Sequence, residues 1–239
     1  MCGRFTLRGS AAEVAEFFQL LRDLFDWNQP RFNIAPTQTV LAVRQPATIR
    51  EPAWFRWGLI PPWAQDASFG AKCINARAEG LAQSRVFKTP FQRHRCLIVA
   101  DGFYEWERIG QSKKSPIQFS LRDTNLFAFA GLAESWHSST GELVESCSVI
   151  TTSANELLAP IHDRMPVILR PSDYDRWLDP QNQEIALLQS LLVPLPADEM
   201  QAERVSDVVN NVRNNVDPRL PVSQSTVKKQ ARLLFDDVE

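Results

Sequence analysis

Residues 96–108 read CLIVADGFYEWER and contain two apolar runs on either side of the pair Asp101-Gly102. The first run is rich in β-branched side chains and the second in aromatic ones, and both compositions are typical of strands. An Asp-Gly pair favours a turn. The stretch therefore predicts two short strands with a tight break between them.

Comparable apolar runs recur along the chain and set the fold class. Pro52 moves one predicted strand towards a sheet edge, and Pro90 makes the second half of one predicted helix irregular. Many short strands with a few helices predict an α+β fold, a single domain with a curved, barrel-like, mainly antiparallel sheet and peripheral helices. We expect that domain at 1–220 and a mobile, largely polar tail at 221–239. The predicted strands are 39–44, 48–57, 96–100, 103–108, 117–121, 127–132, 147–151 and 165–169, and the predicted helices are 10–25, 78–93, 155–159, 171–177 and 182–192.

Composition and charge narrow the class of protein. The 239 residues are 44% hydrophobic and 23% charged, which is ordinary for a globular chain. No apolar run is long enough to cross a bilayer, and the start MCGRFTLRGS lacks the apolar core of a secretory signal, so we expect a cytoplasmic protein with no membrane partner. The net charge is −2, yet residues 71–100 hold six Lys and Arg against one Glu, a local balance of six minus one, or +5. That stretch fits either phosphate binding or a solvated basic face.

The four cysteines stand at positions 2, 73, 96 and 147, without a CxxC pair or a partnered His spacing. We therefore expect no metal site and no disulfide, and we interpret Cys96 and Cys147 as buried strand residues. If Met1 is removed, Cys2 carries an amine of pKa about 7.7–8.0 and a thiol of pKa about 8.5 on adjacent carbons. Such a pair can condense with an aldehyde, although position two can also hold a cysteine by chance.

Three further segments contain residue types that suit the same chemistry. In 73–79, Asn75 and Arg77 can supply an orienting amide and a phosphate fork. In 100–106, Glu105 lies between aromatic residues, which raise the pKa of a carboxylic acid and suit it to proton transfer. In 161–166, His162 precedes charges of opposite sign. Each has a structural alternative: Asn75 as a turn residue, Glu105 as a surface partner of Arg108, and His162 as a helix-end cap.

Taken in order, these segments resemble the SRAP family, the SOS-response-associated peptidase-like proteins that process abasic sites. One departure is Pro62-Trp63-Ala64, where some relatives carry two tryptophans. The resemblance extends over about 1–220, and its matching pieces are 1–5, 31–37, 57–61, 74–79, 100–106, 151–155 and 161–166.

The resemblance implies a role for each matching residue. Cys2 would be the nucleophile that joins the ring-opened sugar aldehyde, and Asn75 would hold the amino terminus and the sugar in register. Glu105 would be the acid that assists ring opening, and His162 would assist the Schiff-base and reversal steps. The implied DNA-binding residues are Arg4 and Arg77 at phosphates, Pro36 and Trp63 as wedges with Asn33 close by, and Trp106, which with Trp63 can stack on bases.

Three functions follow as hypotheses. The first is a sensor that forms a thiazolidine crosslink with abasic sites in single-stranded DNA, with lyase activity as an additional function. We expect this sensor to need no cofactor, to work as a monomer and to be associated with the nucleoid when it is bound to DNA. The second is a thiol peptidase or autopeptidase, with Cys2, His162 and Asn75 in a Cys–His–Asn arrangement. The third is a non-catalytic module that binds single-stranded nucleic acid, which would not require the terminal Cys, the acid and the His.

Overall fold

The computed structural model describes residues 2–21, 29–110 and 113–220, so the predicted tail 221–239 lies outside the described residues. The described helices are α1 (Ala11–Phe18), α2 (Lys88–Arg93), α3 (Tyr174–Leu178) and α4 (Ile185–Ser190). The described strands are β1 (Phe5–Leu7), β2 (Arg31–Ile34), β3 (Thr39–Arg44), β4 (Glu51–Trp57), β5 (Asn75–Arg77), β6 (Arg95–Ala100), β7 (Gly102–Ile109), β8 (Lys113–Leu121), β9 (Phe127–His137), β10 (Leu143–Ser153), β11 (Arg164–Pro166), β12 (Ile168–Leu169) and β13 (Met200–Arg204).

Five of these strands close into a barrel in the order β10-β4-β3-β6-β9, because β9 also pairs with β10. Every pairing around this ring is antiparallel except β10 with β4, which is parallel. Closure removes free strand edges from the barrel. The predicted α+β fold with a curved, mainly antiparallel sheet is confirmed.

A second sheet, in the order β13-β8-β7-β1-β2, lies beside the barrel and is antiparallel throughout. Asp101 alone separates β6 of the barrel from β7 of the second sheet, so the predicted tight break between the two strands is confirmed. Asp101 is buried, and its carboxylate accepts hydrogen bonds from the Thr6 hydroxyl at 2.5 Å and from the backbone N–H of Arg8. The turn therefore also fixes β1.

Aromatic packing holds β1 of the second sheet against the barrel. The ring of Phe5 meets Trp57 of β4 at 5.1 Å and Phe129 of β9 at 5.6 Å between centroids, both edge to face. Such pairs stabilise a core beyond the area they bury. Because β1 is fixed on both sides, the residues that precede it are held at the junction of the sheets.

Several predicted elements differ from the structure. Residues 155–159 form turns instead of a helix, because the Asn155 side chain accepts the N–H of Leu158 and competes with helical bonding. The predicted strand 165–169 divides into β11 and β12 at Val167, whose N–H binds the carbonyl of Ile150. None of the helices in the described ranges has the length and apolarity of a membrane span.

The two proline-based predictions were partly wrong. Segment 78–93 begins as a 3-10 helix, Ala78–Gln83, and becomes α-helical only in α2, where Pro90 lies in the first turn and needs no N–H partner. Pro52 lies in β4, a barrel strand, but β10 joins β4 only at Arg56 and Trp57. The missing N–H of Pro52 therefore leaves no ladder bond unmade on that side.

Candidate active site

Strand β10 brings together segments that are far apart in sequence. Its residues Val149 and Thr151 pair with Asn75 and Arg77 of β5, and further along it pairs with β11, which begins two residues after His162. Alternate residues of a strand share a face, so Asn75 and Arg77 lie on the same side of β5. Two of the predicted segments therefore meet at one end of β10.

An ion pair locks β5 and β11 on either side of β10. The guanidinium of Arg164 donates to both carboxylate oxygens of Glu79, at 2.6 and 2.9 Å, and to the carbonyl of Thr151 at 2.6 Å. A two-pronged contact of this kind fixes direction as well as distance. Sequence analysis gave Arg164 no role of its own, because nothing in the spacing links it to Glu79.

The amino terminus reaches the same end of β10 from the second sheet. The backbone N–H of Tyr104 donates to the carbonyl of Arg4 at 3.0 Å, which continues the β1–β7 pairing beyond Phe5. The side-chain amide of Asn75 donates to the carbonyl of Cys2 at 2.8 Å. This hydrogen bond joins β5, which pairs with the barrel strand β10, to the segment that precedes β1 of the second sheet, and Cys2 is fully buried.

Burial controls the protonation of Cys2 and Glu105. It raises the pKa of the Cys2 thiol, and the negative charge of Glu105 raises it further, so the thiol stays protonated near neutral pH. Burial also raises the pKa of Glu105 to about 7, a shift opposed by the positive charge of the amino terminus and assisted by Asp163. Glu105 is therefore divided between acid and carboxylate at neutral pH.

His162 is set up as a neutral imidazole. Burial lowers its pKa first, and the positive charge of the amino terminus lowers it further. Its Nδ1 lies 2.9 Å from both the backbone N–H of Arg164 and a carboxylate oxygen of Asp163. Without a proton Nδ1 accepts from the N–H of Arg164, and with one it donates to the carboxylate of Asp163.

Three of the four predicted catalytic residues, Cys2, Asn75 and Glu105, interact directly through a hydrogen bond and through charge. Asn75 binds Cys2, and the charge of Glu105 acts on the Cys2 thiol. His162 is linked to the group through Asp163, whose charge acts on Glu105. Oδ1 of Asn75 is buried and has no hydrogen-bond partner among the described residues, so one acceptor in the site is still available.

Three of the predicted DNA-binding residues are exposed or partly exposed. Arg77 is exposed, Pro36 is half-buried, and Trp63 is 44% exposed. The guanidinium carbon of Arg85 lies 4.3 Å from the centroid of the Trp63 ring, a cation–π contact. Sequence analysis placed Arg85 only within a basic stretch, because its approach to Trp63 depends on the intervening loop. The DNA contacts themselves remain predictions.

The other three predicted DNA-binding residues, Arg4, Asn33 and Trp106, bind the protein itself. Their partners lie in residues 206–215, which we call the carboxyl-terminal strap. Asn33 accepts from Arg4 at 2.6 Å, and the indole N–H of Trp106 donates to the side chain of Asn210 at 2.7 Å. Their contact with DNA remains a prediction, and Asn33 is only 5% exposed.

The described residues contain no group of three or more His, Cys, Asp and Glu placed to hold a metal ion. All four cysteines are free and buried. Cys2 differs from the other three in its surroundings, because the amide of Asn75 and the carboxyl of Glu105 act on it.

Comparison with known proteins places this arrangement in a family. The sequence profile of the SOS response associated peptidase (SRAP) family matches residues 1–212. The chain belongs to the SRAP family. The resemblance of its ordered motifs is therefore confirmed.

Named relatives extend from bacteria to mammals. The abasic site processing protein YoqW of Bacillus subtilis (strain 168) is 45% identical over 216 residues, 90% of this chain and 96% of the relative. The abasic site processing protein HMCES of Mus musculus is 31% identical over 207 residues, 74% of this chain and 58% of the relative.

Solved structures agree with the SRAP architecture described above. A Bacteroides thetaiotaomicron protein matches with a TM-score of 0.80 over 93% of this chain and all of the other, at 24% identity, which shows the fold alone. A Bordetella bronchiseptica protein matches with a TM-score of 0.73 over 86% of this chain and all of the other, at 26% identity.

Proposed function

We propose that this SRAP protein captures abasic sites in single-stranded DNA as a covalent adduct of Cys2. The observation that carries the proposal is the 2.8 Å hydrogen bond from Asn75 to the carbonyl of Cys2, beside the acid Glu105. It brings a nucleophile, an orienting amide and a proton donor to one point. The names of the relatives YoqW and HMCES support the same lesion as the substrate.

The reaction begins with the amine of Cys2 in a chain from which Met1 has been removed. The amine nitrogen attacks C1′ of the open-chain sugar and forms a carbinolamine, which loses water to give an imine. The thiol sulfur then adds to the imine carbon, and the thiol proton passes to the nitrogen. The product is a thiazolidine ring, one water is released, and no oxidant or metal is consumed.

The protonation states of the site suit these steps. Glu105, with a pKa of about 7, supplies a proton for sugar-ring opening and for the departing water, and its carboxylate form takes one back. The protonated Cys2 thiol carries the proton that the second step needs. His162, whose pKa is lowered by burial, exchanges a proton with a sugar oxygen, and the available Oδ1 of Asn75 accepts an N–H of the Cys2 amine.

The electrostatics favour aldehyde capture over the thiol-peptidase hypothesis. A cysteine protease needs a thiolate, whereas burial and Glu105 raise the pKa of this thiol. Among the described residues, the hydrogen-bond contact of the Cys2 sulfur is the carbonyl of Arg4 at 4.0 Å, and carbonyls do not accept protons as an imidazole does. Proteolysis of unrelated peptides is therefore the less favoured activity.

Recognition of the lesion must work without a base edge, because an abasic nucleotide has none. Phosphate contacts and stacking on neighbouring bases are then the available interactions. Arg77 supplies an exposed cation on the face of Asn75, and Trp63 supplies an exposed ring. A single strand leaves its bases free to stack, which supports single-stranded DNA as the partner. We propose further that the protein acts as a monomer in the cytoplasm and lies at the nucleoid when it is bound to DNA.

The test is a denaturing gel of protein incubated with a single-stranded oligonucleotide that contains one abasic site. Wild-type protein and the control Cys73→Ala, which changes another buried thiol, should give equal amounts of a heat-resistant adduct. Cys2→Ala should give none. An adduct of undiminished yield from Cys2→Ala would refute the proposal.

A further inference from the structure

The side chain of Asn33 in β2 is committed entirely to protein groups. Its Nδ2 lies within hydrogen-bond distance of the carbonyls of Val209 at 3.2 Å, Asn211 at 2.9 Å and Asn214 at 3.0 Å, all in the carboxyl-terminal strap. Its Oδ1 accepts from Nη1 of Arg4 at 2.6 Å. Two N–H groups shared among three carbonyls leave no donor for a DNA phosphate.

Arg4 connects this buried amide to the candidate nucleophile. Its Nη1 also donates to the carbonyl of Val209 at 2.7 Å, and its guanidinium carbon lies 5.4 Å from the ring centroid of Trp106. Its own carbonyl accepts from Tyr104 and faces the sulfur of Cys2 at 4.0 Å. The Arg4 side chain therefore connects Asn33 and the strap to a backbone segment two residues from Cys2.

We infer that Asn33 is a positioning residue: by holding Arg4 against the strap, it keeps Cys2 aligned with Asn75 and Glu105. The inference rests on the proposed function, because alignment matters only if Cys2 reacts. The burial of Asn33 and its four protein partners argue for this indirect action over direct DNA contact. A displacement of about 1 Å at a reacting group can reduce a rate by two orders of magnitude.

The first test separates alignment from DNA binding. The adduct-forming rate is measured in single turnover at increasing concentrations of the abasic oligonucleotide. For Asn33→Ala we expect the limiting rate at saturating DNA to fall about ten-fold or more, with the half-saturating concentration unchanged. A raised half-saturating concentration with an unchanged limiting rate would show direct DNA contact and overturn the inference.

The control for the strap is Asn215→Ala. Asn215 accepts from the backbone N–H of Phe32 at 2.7 Å and donates to the carbonyl of Pro30 at 3.0 Å, and none of its hydrogen bonds involves Arg4. It holds the same strap to the same part of the chain. We expect its limiting rate to match wild type. If Asn215→Ala and Asn33→Ala lose the same rate, the strap as a whole is responsible and the role of Asn33 is refuted.

A double-mutant cycle tests whether the effect passes through Arg4. In an Arg4→Ala background, Asn33→Ala should lower the limiting rate no further; additive losses would contradict the inference.

If Asn33→Ala fails to fold in a thermal scan, Asn33→Asp takes its place, because it keeps the oxygen that Arg4 binds. Asn33→Asp loses the N–H donors to the strap, so its limiting rate should fall with the half-saturating concentration unchanged, and a limiting rate equal to that of wild type overturns the inference. Failure of the proposed function is separate: wild type would form no adduct, or Cys2→Ala would.

Discussion

Glu105 illustrates at the residue scale how a site is prepared at the expense of stability. The residue is 6% exposed, and burial raises the pKa of its carboxyl from 4.5 to about 7. In the unfolded chain the group ionises at its ordinary pKa. Between about pH 4.5 and 7 the folded state therefore binds more protons than the unfolded state, and stability falls as the pH rises through this range.

Replacement of Glu105 by Gln should consequently stabilise the protein and slow its reaction. Gln keeps the shape and cannot ionise, so at pH 8 the free energy of unfolding of the variant should exceed that of wild type by up to about 3 kcal/mol, and the variant should unfold at a higher temperature. At pH 4.5 or below, where Glu105 is protonated in the fold, that advantage should disappear. Thermal unfolding at both pH values measures it. An equal difference at the two pH values would contradict the assigned pKa.

Single residues also show the limits of sequence analysis. Glu105 could be selected because it lies between Tyr104 and Trp106 in the sequence. Asn33 could not be understood in the same way, because its four partners lie either near residue 4 or beyond residue 208. Arg95 was counted in a basic stretch, yet it is 5% exposed and donates to backbone carbonyls of Trp177 and Asp179. Its role depends on the tertiary packing of α3.

The connection from β4 to β5 matters most at the element scale. It contains Trp63 and leads to Asn75 at the start of β5. Its two arms approach closely at Gly58 and Gly70, a contact that we call the pinch. Gly58 has a φ of +128°, and a Cβ there would lie 2.6 Å from the carbonyl oxygen of Gly70. Both the backbone conformation and the close approach require glycine.

Gly58→Ala should therefore destabilise the protein by about 1–3 kcal/mol or more. The matched control is Gly80→Ala: a Cβ at Gly80 meets nothing within 4 Å, and the residue lies in the 3-10 helix Ala78–Gln83. Chemical denaturation of both variants measures the difference. If Gly58→Ala is as stable as Gly80→Ala, the pinch does not exist in solution.

Strand prediction succeeded where the apolar pattern was local. The strands at 39–44 and 96–100 were predicted to within one residue of β3 and β6. The short strands β1, β2 and β5 were not predicted, because three or four residues carry too little pattern. Yet β1 and β5 lead to Cys2 and carry Asn75, so the elements that assemble the site are those least visible in the sequence.

For the whole molecule, the net charge of −2 means that the summed field does not attract DNA. Attraction must come from local cations, and the stretch 71–100 is not one patch. Arg95 is buried, whereas Arg93 lines a cavity of about 300 Å³ together with Arg44 and Glu145, at the end of β10 opposite to Ser153. Arg77 lies on the site face. We therefore expect only a few phosphate contacts, all made by cations close to the site.

Arg77→Ala is expected to weaken binding of single-stranded DNA and to lower the slope of log K against log salt by about 0.7, as for the loss of one phosphate contact. Arg170→Ala, at an exposed arginine that is paired with Glu199, serves as the control and should leave the slope unchanged. Salt titrations of fluorescence anisotropy report both. Equal slopes for Arg77→Ala and wild type would remove Arg77 from the DNA surface.

Intact mass of the wild-type protein, before and after incubation with an abasic single-stranded oligonucleotide, tests the central claim most directly. The free protein should lack Met1, and the product should weigh the sum of that protein and the oligonucleotide less one water, with the modification on the amino-terminal peptide. A protein that retains Met1 and still forms the adduct, or a product modified away from Cys2, would contradict capture by the amino-terminal cysteine.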